Sequence, residues 1–449
     1  MGRVETQAAR QSVGGAAPVA AGPITLSACA LALVPFALLT DYRPRFGISF
    51  LVAELFAYAA MGVILVDPRA IRTPRAFPSL AAAFVALIAM LMARSLYFRI
   101  DRFADIESAA TRIRDAGVPL ALVLLVYWRL RLRGRGASLV VWAVVVAGAL
   151  AGAIGVSQFF RGTPFLVEGA ESLRYKTQVA QKYWLAELLH YHIEYLARGF
   201  YGFSINYATS QIVPCVLAFS LTLRGSWRRR LVAAACFVMA FAGVYLSFAR
   251  TSIYLIPVGC ALAALATFGR LRPVAAFGLA LAYLVFAWAG PLMHRTIIED
   301  ADTATLDSRV QTVLDFIHHV GRDPSLLWLG SPLNFWHEWN SESLSPHNFI
   351  ANAVLSDGLP ATVLRIGLYA GLCVVLFPSS RGRPALPERA GLWGGAFTLL
   401  FIAGETEPYG GIPSWLAGSL GLAVLAALAP DEEPPPHLEV VRTPEATAS

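Results

Sequence analysis

Three side chains have the types and settings that chemistry on a charged substrate would need: Arg250, Arg198 and His347. Arg250 opens the triplet Arg250-Thr251-Ser252, which interrupts an otherwise apolar run from Leu231 to Phe268. A guanidinium is a permanently charged planar fork that suits phosphate oxygens. At a helix N-terminus the free N–H groups and the helix dipole add to its pull on an anion. Thr251 or Ser252 is placed to cap that helix through its hydroxyl. The structural alternative is an arginine that snorkels to headgroup phosphates. Arg198 opens Arg-Gly-Phe-Tyr-Gly-Phe-Ser-Ile-Asn-Tyr-Ala, where Gly199 and Gly202 let backbone approach a ligand closely. Ordinary interface anchoring is its alternative. His347 sits in Ser-Pro-His-Asn-Phe-Ile, with Pro346 and Asn348 to fix its approach and local hydrogen bonding. Histidine is the side chain best suited to take a proton near neutral pH. His318 and His319 read instead as solvated or interfacial residues. Two boundary arginines on one side are what a diphosphate would need.

Composition dictates which elements position these residues. The chain has 449 residues, 57% of them hydrophobic and 14% charged, with a mean hydropathy of +0.58. A water-soluble domain carries roughly 25% charged residues, so the balance is that of a membrane protein. Apolar runs near the roughly 20 residues that cross a bilayer recur along the sequence. Twelve are predicted, beginning with Ile24–Thr40, Phe46–Val66, Ala76–Ala93, Val118–Trp128, Ala137–Phe160 and Phe203–Leu223. The others are Leu231–Ala249, Thr251–Phe268, Val274–Leu292, Leu359–Phe377, Gly391–Gly404 and Pro413–Ala429. The fourth and eleventh are short and must borrow flanking residues or sit partly buried in protein. As one helix, Leu231–Phe268 would be roughly 57 Å long, nearly twice the hydrocarbon thickness. It must therefore be two spans with Arg250 at a hairpin. The predicted class is an all-α polytopic membrane bundle with a helical periplasmic loop region.

Arginine sets the orientation, supplying 34 of the 36 basic residues. Every second loop is short and basic: Arg69, Arg72 and Arg75; Arg129, Arg131, Arg133 and Arg135; Arg224, Arg228, Arg229 and Arg230; Arg270 and Arg272; Arg381, Arg383 and Arg389. Such loops belong in the cytoplasm. Both termini go there too, and the long loops 94–117, 161–202 and 293–358 face the other side, which in a Gram-negative bacterium is the periplasm. Residues 1–22 and 430–449 read as disordered cytoplasmic tails around a transmembrane unit spanning 23–429. The first run reads as a retained helix, since it lacks a persuasive cleavage site.

The same residues weigh against several function classes. A net charge of +7 is accounted for by membrane topology, so nucleic acid is not an expected partner. Cys29, Cys215, Cys236, Cys260 and Cys373 all lie inside apolar runs without a CxxC pair, which indicates neither a disulfide framework nor a zinc site. It also leaves a thiol protease without a nucleophile on the active face. Glu54 and Arg365 are the few ionisable residues well inside spans, and each can pair structurally. A transporter would show an internal repeat or broken helices near the midplane, and no repeat is visible.

Two long loops carry amphipathic helical patterns that suit the headgroup layer: Leu185, Leu188, Leu189, His192 and Leu196, and again Leu306, Val310, Val313, Leu314 and Ile317. The second opens with Asp307-Ser308-Arg309. Asp323-Pro324, Leu329-Gly330, Asn334-Phe335, His347-Asn348 and Ser356-Asp-Gly358-Leu-Pro360 follow in order. Together with Arg198…Asn206-Tyr-Ala and Leu246-Ser-Phe-Ala-Arg250-Thr-Ser, this series resembles the O-antigen ligase and O-antigen polymerase family of bacterial membrane glycosyltransferases. The resemblance covers about 198–360, over a third of the chain. It departs from the family at Phe248-Ala249, between Ser247 and Arg250.

The resemblance implies a C-type glycosyltransferase-like fold in the bacterial inner membrane. It implies a glycan moved from undecaprenyl diphosphate to a hydroxyl of an acceptor, lipid A–core for a ligase or another lipid-linked glycan for a polymerase. Arg198 and Arg250 would hold the diphosphate, and His347 would orient or deprotonate the acceptor. Arg309 would bind the acceptor or pin its loop, with Asn348 beside the base. No cofactor is implied, and two guanidiniums would take the place of a divalent metal. Glu405 and Glu407 keep the metal question open.

Overall fold

The structure is a computed structural model. It describes residues 24–39, 45–46, 48–49, 52–67, 74–97, 103–161, 196–197, 201, 204–283, 318, 320–330, 353–354, 356–378, 385–403 and 412–428. The first half contributes α1 (Leu26–Ala37), α2 (Val52–Val66), α3 (Phe77–Tyr97), α4 (Phe103–Arg129) and α5 (Gly134–Arg161). The second half gives α6 (Ser204–Ser210), α7 (Ile212–Leu223), α8 (Trp227–Leu246), α9 (Arg250–Thr267) and α10 (Pro273–Tyr283). It continues with α11 (Ser325–Leu329), α12 (Leu359–Val375), α13 (Pro387–Phe397) and α14 (Ile412–Ala427). A π turn, Thr398–Ile402, prolongs α13. The described fold is helical apart from a two-residue antiparallel ladder of Arg45–Phe46 with Ile48–Ser49. Among the described residues, α3, α5 and α8 are long and apolar enough to cross a membrane, and six shorter apolar helices accompany them. Large apolar side chains face outward, among them Val85 at 65% exposure and Val238 at 63%. Such faces would be a liability in water and are ordinary in lipid.

Several predicted spans are redrawn. The fourth extends far upstream of Val118, because α4 starts at Phe103 and takes up half of the loop predicted at 94–117. The eleventh gains Pro387–Ala390 at its start and keeps its length through the π turn. The sixth is interrupted at Gln211, which separates α6 from α7. The second begins at Val52, after the ladder.

Helices meet where side chains are small, as membrane bundles require in the absence of a hydrophobic drive between helices. On α5, a Cβ at Gly152 would overlap the Met239 carbonyl of α8, and one at Gly243 would lie 2.8 Å from the Gly152 Cα. Glycine at both positions lets α5 and α8 touch backbone to backbone. The core runs through α7, which packs against α5, α8, α9 and α13. Trp393 of α13 is fully buried and donates its Nε1–H to the Cys373 carbonyl of α12 at 2.8 Å.

Side-chain bonds sort the helix ends into two sets. At one end Arg129 donates to the Leu65 carbonyl at 2.7 Å, and Leu132 N–H to the Ala427 carbonyl at 2.8 Å. Arg229 pairs there with Glu388, and Ala385 N–H reaches the Ala266 carbonyl. The basic loops therefore gather at this end. Glu54, Arg94, Arg365 and the start of α9 at Arg250 fall at the other, because their helices run the other way from these contacts. We expect Gly152→Leu to force α5 and α8 apart and lower stability by about 1–3 kcal/mol, measured as a lower unfolding midpoint in detergent with α-helical circular dichroism retained below it.

Candidate functional site

The hairpin around Arg250 has the predicted form but a different cap. α8 ends at Leu246 and α9 begins at Arg250, so three residues reverse the chain. Phe248 carries the turn at φ 54°, in the left-handed region that a phenylalanine seldom occupies. Its ring stacks on Phe159 with centroids 6.3 Å apart. Neither Thr251 nor Ser252 caps α9. Its N-cap is Ala249, without a side-chain cap bond, and Ser247 secures the turn instead. The Ser247 Oγ–H donates to the Val244 carbonyl at 2.5 Å, and its oxygen accepts from Ala249 N–H at 3.2 Å. Ser252 lies too deep in the helix to serve. Its hydroxyl is 3.4 Å from that of Thr209 on α6.

Arg250 is described as the first residue of α9, at the end of the bundle away from the basic loops. Arg198, Arg309, His347 and Asn348 lie outside the described residues, as do Glu405 and Glu407. Parts of the motif series that flanks His347 are described, and they meet. Leu329-Gly330 closes the short α11, and Ser356-Asp-Gly358 leads into α12. A Cβ at Gly330 would sit 2.8 Å from the Gly358 N and the Ser356 O, while one at Gly358 would run into the Trp328 carbonyl. Both glycines have positive φ, 74° and 82°, so the contact needs glycine on backbone grounds as well.

Two arginines from the first long loop and its flanking helix hold this junction. The Arg94 Nε–H donates to the Leu329 carbonyl at 2.5 Å, and Arg112 Nη1 donates to the Ser356 carbonyl at 2.8 Å. Arg94 is only 4% exposed. Beside them stands an ionic group. Arg114 on α4 lies 3.0 Å from Glu54 on α2 and 3.2 Å from Asp115. Arg365, one and a half turns into α12, lies 3.8 Å from Asp357 and stacks its guanidinium 4.5 Å from the Trp415 ring centroid on α14. Glu54 and Arg365 thus have the structural pairings their sequence positions allowed.

Sequence reasoning missed Arg94, Arg112, Arg114 and Asp115. They sit in the loop read as 94–117, and their partners lie as far as 244 residues away. The available signal was the density of charge at Arg112-Ile113-Arg114-Asp115, immediately before an apolar run. The arrangement can fix the loop ends against α3 and α4.

No known protein-family model matches the chain, and no curated protein matches it.

We expect Arg94→Ala, which leaves the Leu329 carbonyl without its charged donor, to lower stability by about 1.5–3 kcal/mol. Denaturant unfolding of the purified protein measures it.

Proposed function

We propose that this chain is an O-antigen ligase-like glycosyltransferase of the bacterial inner membrane. In this reading twelve spans cross the membrane with both termini in the cytoplasm. The end that carries Arg250 and the Gly330–Gly358 junction faces the periplasm. The donor is a glycan on undecaprenyl diphosphate, and the acceptor is a hydroxyl of lipid A–core. The observation that carries the reading is the meeting of Leu329-Gly330 with Ser356-Asp-Gly358 at the same end as the Arg250 hairpin. Motif pieces chosen from sequence for one chemistry lie at one end of the bundle, opposite the basic loops.

The chemistry follows from the residue types. The acceptor hydroxyl attacks the anomeric carbon from the face opposite the diphosphate. Its proton passes to the imidazole of His347, and the C1–O bond breaks with its electron pair on the departing diphosphate. Arg198 and Arg250 hold that diphosphate and stabilise the charge that grows on it. A donor of this kind is worth about 2.7–4 kcal/mol in the transition state. Arg309 and Asn348 would position the acceptor or the histidine. The guanidiniums supply the positive charge, and Glu405 and Glu407 are the carboxylates that a metal-dependent variant would call on.

Transport of the lipid-linked glycan is the second reading, and the interruption of the sixth span at Gln211 favours it. A polymerase differs from the ligase only in its acceptor. Purified protein in proteoliposomes, given labelled lipid-linked glycan and each acceptor in turn, separates the three. Covalent product with lipid A–core is the expected result, whereas product only with a second lipid-linked glycan identifies the polymerase. Movement of label across the bilayer without product identifies the transporter. Arg198→Ala, Arg250→Ala and His347→Ala should each reduce transfer by about a hundredfold or more with normal insertion, and transfer should persist in EDTA. Undiminished transfer by all three variants would refute the assigned site.

A further inference from the structure

The interruption of the sixth span has a physical cause and a physical consequence. Pro214 has no N–H to offer the Ser210 carbonyl four residues earlier, so the helical ladder lacks a bond where α6 gives way to α7. Gln211 stands at the break and is only 3% exposed. Its Nε2–H donates to Ser210 Oγ at 3.3 Å, and Ser210 Oγ–H in turn donates to the Tyr207 carbonyl at 2.7 Å. The Gln211 Oε1 is buried and has no hydrogen-bond partner among the described residues. It lies against α5, where a Cβ on Gly148 would come within 3.3 Å of it.

These groups border a cavity of about 30 Å³ where α1, α5, α7 and α14 meet, lined by Pro35, Leu39, Gly148, Ser210, Gln211 and Pro214 among others. That volume accommodates one water. The twelve residues of α7 put roughly 18 Å of helix between the break and the basic end. Both acceptors are therefore deep in the bundle, where an unsatisfied polar group is costly. The lining is otherwise apolar: its side-chain oxygens come from Ser210 and Gln211, and the Ser210 hydroxyl is already bonded. A sodium or calcium ion would need several more oxygens.

We propose that this cavity is a binding site for a single structural water, which donates one hydrogen to Gln211 Oε1 and the other to the Ser210 carbonyl. The water replaces the bond that Pro214 cannot make and holds the two halves of the sixth span in one fixed relation. The inference is independent of the proposed function, since either a transferase or a transporter could contain the site.

The test is a high-resolution map of the full chain in lipid nanodiscs, with Gln211→Met and Pro214→Ala beside it. The expected result is one solvent peak about 2.7–3.2 Å from both oxygens, unchanged when sodium is replaced by potassium. Gln211→Met should remove the peak and lower the unfolding midpoint by a few degrees, because the Ser210 carbonyl loses its donor. Pro214→Ala restores an N–H for that carbonyl and should displace the water from a folded chain. An empty cavity in a map that resolves other buried waters would overturn the proposal. So would a higher or unchanged midpoint for Gln211→Met, a peak that follows the cation, or a peak untouched by Pro214→Ala.

Discussion

A carboxylate with no exposure to solvent must be matched by a cation, and for Glu54 that cation is Arg114, 3.0 Å away. Much of the far end of the bundle depends on this pairing. It fixes α4 against α2 in one rotational setting, because a turn of either helix would leave a buried charge without compensation. With α4 so fixed, Arg112, two residues earlier, reaches the Ser356 carbonyl, and the Asp115 carbonyl lies 3.5 Å from Arg365. The ion pair is not a large source of stability, since desolvation offsets most of its attraction. Its role is to exclude alternative registers between helices whose apolar faces would pack almost equally well in several.

The membrane class and most helices were legible because hydropathy acts over whole segments and no single residue decides it. The basic loops were legible for a related reason: Arg129, Arg131, Arg229 and Arg389 lie in short loops between apolar runs, and their helix ends do come together. What escaped was specific pairing over long separations. Nothing near Arg94 announces a bond to Leu329, 235 residues on, because the donor and the acceptor carbonyl have no common sequence signature. The hairpin shows the same limit at short range. Thr251 and Ser252 have the right chemistry for a cap, yet the cap position falls at Ala249, two residues before the first and three before the second. The break at Gln211 escaped because it is a single residue that keeps a right-handed helical backbone, and Pro214 inside an apolar run does not say how far the ladder opens.

The choice of arginine at the junction has a physical logic. Arg94 and Arg112 each direct a donor to a main-chain carbonyl, and through those bonds they hold the path of the backbone. A guanidinium can donate along one edge and keep further N–H groups for other partners, which an ammonium on a flexible stem does less well. Two such bonds, with Gly330 against Gly358, bring the ends of the segment between residues 330 and 358 together. Its endpoints are thereby set by α3 and α4, whatever its interior sequence.

Charge balance carries the argument one step further. The described cluster holds four guanidiniums, of Arg94, Arg112, Arg114 and Arg365, against three carboxylates, of Glu54, Asp115 and Asp357. Among these seven described groups there is an excess of one positive charge. A lipid diphosphate that approaches from the bilayer would meet this field before it met any single ligand, and a low-dielectric wall on its lipid side would lengthen the field's reach. Under the proposed function, structural arginines and a diphosphate-binding pair would for that reason not be competing explanations. The first set holds the loop ends and contributes positive potential, and the second would use that potential where the bond breaks.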